Sequence, residues 1–87
     1  MVSAEVIISN RLGMHARAAA VFVREASRFH SEVWLEKGGK KVNGKSIMGI
    51  LTLAAAKGET LVVAAEGTDE DGAVRALVEI VSSGFGE

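Results

Sequence analysis

Residues 2–28, VSAEVIISNRLGMHARAAAVFVREASR, change their hydrophobic period once, and that change decides the reading of the rest of the chain. Val2, Ala4, Val6 and Ile8 alternate with Ser3, Glu5 and Ile7, the period-two pattern of a half-buried strand. Ser9-Asn10-Arg11-Leu12-Gly13 breaks the alternation, with Gly13 free to adopt backbone angles barred to other residues. From Ala16 to about Ser27 the period becomes helical. Ala19, Phe22, Val23 and Ala26 share one face, while Arg17, Ala20, Arg24 and Arg28 follow the other.

Working outward, Val33 and Leu35 with Glu32, Trp34 and Glu36 predict a second strand, and Gly38-Gly39 predicts a tight turn into a short returning strand, Lys40–Asn43. Ser46 is a natural N-cap for a short helix over Ile47–Leu53, ending before Gly58. Leu61, Val63 and Ala65 alternate with Val62, Ala64 and Glu66 as a fourth strand. Thr68-Asp69-Glu70-Asp71 has a capping-box pattern with acid in the first turn, and Val74, Leu77, Val78 and Val81 form the apolar stripe of a last helix that Gly84 stops. The order β-α-β-β-α-β-α predicts an α+β two-layer open-faced sandwich: a four-stranded, mainly antiparallel sheet covered on one face by three helices. Ile7, Trp34 and Val62 load the outer sheet face with apolar surface, which reads either as self-association or as simple stability.

Length and composition bound the function. Eighty-seven residues, 48% hydrophobic and 24% charged, make one small globular domain over residues 1–87. No cysteine is present, which excludes a disulfide framework, a thiolate metal site and thiol catalysis. Two histidines leave little for any other metal site, and no cofactor motif appears; the Walker spacing is absent around Asn43-Gly44-Lys45-Ser46. The first residues lack a basic run followed by a long apolar one, so a soluble cytoplasmic domain without membrane insertion is expected. The net charge of −1 is unevenly spread: residues 11–45 carry +5 and residues 46–87 carry −5. That basic half suits an anionic ligand or an acidic partner. Nucleic acid fits poorly, because the chain is not basic overall and no aromatic row interleaves with its lysines.

Chemistry concentrates at Gly13-Met14-His15-Ala16-Arg17. A helix start leaves backbone N–H groups without intrahelical partners and adds a partial positive charge, so Ala16, Arg17 and Ala18 frame an anion site beside an imidazole. A neutral ring nitrogen there can attack a phosphoryl group and hold it as phosphohistidine, with Arg17 and the amides meeting the new charge. The bland alternative is a capping or surface histidine. His30, in Phe29-His30-Ser31, has no such approach and reads as a loop residue. Ser46 reads first as a cap and second as a regulatory phosphate acceptor. Ile47, Met48 and Leu51 form either buried surface or a docking patch, rimmed by Arg24 unless that residue lies on an ordinary solvated face. No second acid or base accompanies His15, so the chemistry is expected to come from partners rather than from an enzyme acting alone.

Four fragments, Gly13-Met14-His15-Ala16-Arg17, Gly39-Lys40-Lys41-Val42-Asn43, Lys45-Ser46-Ile47-Met48-Gly49 and Ala65-Glu66-Gly67, resemble in register the HPr family, histidine-containing phosphocarriers of the bacterial phosphoenolpyruvate:sugar phosphotransferase system. The resemblance implies that His15 takes phosphate on Nδ1 from enzyme I and passes it to enzyme IIA domains for sugar uptake, with Arg17 contacting the phosphoryl group. It implies a Ser46 kinase and phosphorylase, and control of a transcriptional regulator, as the regulatory branch. It also implies that Met14, Ala20, Arg24, Ile47, Met48 and Leu51 lie on the partner surface of a monomer that needs no cofactor. The family's His-Ala-Arg-Pro run is broken by Ala18, which leaves one more N–H near the site on a less rigid backbone; transfer is expected to persist at an altered rate.

Overall fold

The computed structural model, which describes residues 1–87, carries the element order that the periodicity predicts. Strand β1 (Val2–Ile7) leads to helix α1 (Ala16–Ala26), then to β2 (Glu32–Lys37), β3 (Lys40–Asn43), α2 (Ile47–Leu51), β4 (Thr60–Glu66) and α3 (Glu70–Ser82). A 3-10 turn over Gly84–Gly86, unforeseen in the periodicity, follows. The strands lie in the order β1-β4-β2-β3, every neighbour antiparallel. Gly38 and Gly39 have φ of 57° and 86°, the two left-handed residues that a tight hairpin needs to match the strand twist.

Side chains of one sheet face and the apolar stripes of α1 and α3 close a single core of nineteen buried residues, with Phe22, Leu35, Leu61 and Leu77 fully enclosed. On the outer face, Trp34 is half-buried between Ala64 and Asn43 in register, and the Lys41 ammonium lies 4.7 Å from its ring centroid. Ile7, at the sheet edge, remains 59% exposed.

Two expectations, one helix end and one cap, are corrected. Helix α2 stops at Leu51 rather than Leu53. The reason lies across the fold: Lys37 Nζ donates to the carbonyls of Leu53 and Ala54 at 3.0 and 3.1 Å, and Lys40 Nζ to that of Thr52 at 3.3 Å. These hairpin lysines take the carbonyls at the helix end, and Ala54 turns away with a φ of 50°.

The capping box at α3 is also absent. Asp69 precedes the helix but makes no side-chain cap; its carboxylate instead accepts from the backbone N–H groups of His30 and Ser31 and from the Ser31 hydroxyl. His30 is thereby an exposed loop residue, as expected. The Ser31 hydroxyl first, then the two amides, lower the Asp69 pKa to about 2. A depressed carboxyl pKa stabilises the fold above the ordinary aspartate range, and this contribution is lost as pH falls through about 2. Asp69→Asn is therefore expected to unfold at lower urea than the parent near neutrality, with the gap closing below pH ~4 as the parent's own aspartate protonates. A gap independent of pH would refute this account.

Candidate functional site

Three segments meet around His15. The first is the turn after β1. Gly13, at φ 67°, lies against the segment that follows α2: a Cβ on it would come within 2.6 Å of the Ala55 carbonyl oxygen. Next along the chain, the Met14 amide donates to that same carbonyl at 2.9 Å. No residue but glycine brings the two backbones so close.

The second segment is the start of α1. His15 is its N-cap residue, extended at φ −83° and ψ 179°, and its side chain makes no cap bond. Ala19 is the first residue whose N–H returns to the preceding turn, reaching the His15 carbonyl at 2.9 Å. The amides of Ala16, Arg17 and Ala18 therefore have no backbone acceptor, and no acidic residue occupies the first turn to claim them.

The third segment is Glu87. Its Oε2 lies 2.6 Å from His15 Nε2, and its Oε1 accepts from Asn10 Nδ2 at 3.3 Å. The His15 bond first, then that from Asn10 and the nearby charge of Arg17, hold the Glu87 carboxyl below its ordinary pKa against the opposing effect of desolvation. An ionised carboxylate only accepts, so the neutral imidazole carries its hydrogen on Nε2 and its lone pair on Nδ1. The His15 side chain retains 26% of its exposure. Arg17, in the first turn of the helix, is exposed.

The expected partner surface is only partly present. Arg24, Ile47 and Met48 are exposed, Met48 at 75%, while Ala20 and Leu51 are half-buried. Met14 is a correction: it is 4% exposed and belongs to the core. Pinned by its amide to Ala55 just before the helix, its side chain turns inward. Ala18 is likewise fully buried, so it offers the site an N–H and no surface. Because that N–H has no acceptor in the backbone, proline at this position would remove no backbone hydrogen bond. Ser46 caps α2 as read, accepting from the Gly49 amide at 3.0 Å.

One contact of His15 escaped the sequence reading. Glu87 is 72 positions from His15, and nothing local signals the contact.

A family model described as "PTS HPr component phosphorylation site" matches residues 2–83. The phosphocarrier protein HPr of Neisseria meningitidis serogroup A is 48% identical over 87 residues, covering 100% of this chain and 98% of the relative. The HPr-like protein Crh of Halalkalibacterium halodurans is 48% identical over 81 residues, covering 93% and 96%. Among solved structures, HPr-C-His from Thermoanaerobacter tengcongensis superimposes with a TM-score of 0.96 at 49% identity, over 100% of this chain and 98% of the other. An HPr dimer from the same organism, also 49% identical and covering both chains completely, superimposes at 0.79.

Proposed function

The chain belongs to the HPr family of the phosphotransferase system, and on that premise we propose that Nδ1 of His15 accepts a phosphoryl group from phosphoenolpyruvate-charged enzyme I and passes it to enzyme IIA domains for sugar uptake. The observation that carries this reading is the occupation of Nε2 by Glu87 at 2.6 Å, which leaves Nδ1 as the ring nitrogen without a partner, on the N-cap residue of a helix whose first three amides also have no backbone acceptor. The Nδ1 lone pair forms a bond to phosphorus as the bond to the donor breaks, and the donor keeps that electron pair. The ring becomes cationic with its hydrogen still on Nε2, where the Glu87 carboxylate meets it. The amides of Ala16, Arg17 and Ala18 and the Arg17 guanidinium meet the phosphoryl oxygens. Transfer onward reverses these changes.

A carrier must release what it accepts, so an open site suits it better than a deep pocket. Residues 1–87 then act as one domain in the cytoplasm, a stoichiometric carrier rather than an enzyme. It works as a monomer that meets each partner through Ala20, Arg24, Ile47, Met48 and Leu51. Incubation with enzyme I and phosphoenolpyruvate, followed by peptide mass mapping, is expected to place one acid-labile, base-stable phosphoryl group on His15. A group mapped to any other residue would overturn the reading.

A second, regulatory reading rests on Ser46, half-exposed at the start of α2 directly before exposed Ile47 and Met48. Phosphate placed there by a kinase and removed by a phosphorylase puts a dianion at the edge of the docking patch and changes which partners fit, a transcriptional regulator among them. Ser46→Ala is expected to cost roughly 0.5–2 kcal/mol of stability through the lost cap while leaving transfer from enzyme I intact. Ser46→Asp keeps a capping oxygen, and is expected to slow that transfer about tenfold by charge at the interface. Equal transfer rates for the two variants would exclude a switch at this position.

A further inference from the structure

Asn10 is only 5% exposed, although it lies in the turn between β1 and His15. Its single Nδ2 donates to the Gly13 carbonyl at 2.7 Å and to Glu87 Oε1 at 3.3 Å. The Gly13 carbonyl also accepts from the His15 amide at 3.0 Å, and the other Glu87 oxygen holds the His15 ring. One nitrogen thus ties both ends of His15, the backbone through Gly13 and the imidazole through Glu87. The Gly84–Gly86 turn that delivers Glu87 is seated on the same residue: a side chain at Gly84 would meet Asn10 Cβ at 3.5 Å. Meanwhile Asn10 Oδ1 is buried with no partner, the only such side-chain atom in the protein. An unpaired buried carbonyl is unfavourable, and it marks a side chain retained for its other end. Both Nδ2 contacts are acceptors, so the amide cannot turn over to relieve the orphan without setting oxygen against oxygen.

We propose that Asn10 is a positioning residue that holds the His15 ring, through Glu87 and the Gly13 carbonyl, in the tautomer and orientation that present Nδ1. The proposal rests on the reading of His15 as phosphoryl acceptor and deepens it. Asparagine suits the place because two hydrogens on one nitrogen serve two acceptors; serine has one hydrogen and aspartate has none.

The test is the nitrogen-15 spectrum of the His15 ring at pH ~9, well above the ordinary imidazole range, so that tautomer rather than protonation sets the shifts, with the exposed His30 as internal control. In the parent, His15 is expected almost wholly in the form with hydrogen on Nε2. In Asn10→Ser its Nδ1 and Nε2 shifts move toward each other as the second tautomer gains population, while His30 stays fixed. Glu87→Ala reproduces the shift from the other end of the chain of contacts. Phosphoryl transfer by Asn10→Ser is expected to fall roughly 5- to 10-fold in kcat with KM for the carrier unchanged, since orientation is lost and docking is not. A folded Asn10→Ser with parental His15 shifts overturns the proposal. The parent alone supplies a second measurement, independent of how any Asn10 variant folds: both Asn10 side-chain amide hydrogens are expected to exchange slowly, and fast exchange of both overturns the proposal. Failure of the parent to take phosphate from enzyme I is a separate result, which overturns the acceptor reading on which the proposal stands.

Discussion

His15→Ala is expected to take up no phosphoryl group from enzyme I and phosphoenolpyruvate, while its melting temperature stays within a few degrees of the parent's. Both halves follow from geometry. The imidazole supplies the lone pair that forms the new bond, and no other nucleophile stands at this helix start, so the loss is complete rather than graded. Its structural role is small: the ring makes no cap bond, keeps 26% of its exposure, and contacts a carboxylate that is itself accessible. His30→Ala provides the comparison. His30 binds Asp69 only through its backbone amide, so that variant is expected to accept phosphate at the parental rate. Arg17→Ala should fall between the two. It keeps the acceptor and the amides but removes the one guanidinium close enough to influence Glu87, and a loss of roughly 10- to 100-fold in transfer is expected. Phosphate retained by His15→Ala, measured by mass on the intact chain, would end the acceptor reading.

Why was so much of this visible in the chain alone, and what was hidden? Strands and helices were legible wherever one face is buried, because burial writes its period into the residues. The strand over Lys40–Asn43 is legible from the Gly38-Gly39 turn that precedes it. His15 was legible because a glycine, a histidine and an arginine straddle the point where the period changes, and because four fragments resemble one family in register. What stayed hidden depends on contacts between distant segments. The end of α2 is set by lysines of the β2–β3 hairpin, and the Asp69 carboxylate is drawn away from its own helix by Ser31. Met14 looks like surface beside a polar loop until the bond from its amide to Ala55 fixes which way it turns. Asn10 reads as one more turn-forming residue, and its burial appears only once the turn that carries Glu87 closes over it.

Gly13→Ala is expected to be the most destabilising single change near the site. Its φ of 67° alone costs an alanine about 1 kcal/mol. The new methyl would also stand 2.6 Å from the Ala55 carbonyl oxygen and 2.9 Å from the Ala56 Cα, both backbone atoms that no rotamer change can move aside. Relief requires the turn before α1 to part from the segment after α2, breaking the bond from the Met14 amide to Ala55 and lifting Met14 from the core. Together these effects suggest a loss of roughly 3 kcal/mol, a large share of what a domain of this size has in total. Gly38→Ala isolates the backbone part, because φ is similar at 57° but nothing lies within 4 Å of the new methyl; about 1 kcal/mol is expected there. Urea unfolding of the two variants compares them directly, the midpoint of Gly13→Ala falling well below that of Gly38→Ala at an unchanged slope. Transfer should separate them too: moving the turn shifts His15 relative to its amides, so Gly13→Ala slows phosphate uptake at urea-free stability while Gly38→Ala leaves it unaltered. Equal losses at the two glycines would mean that the close approach at Gly13 is not what holds the phosphate acceptor in place.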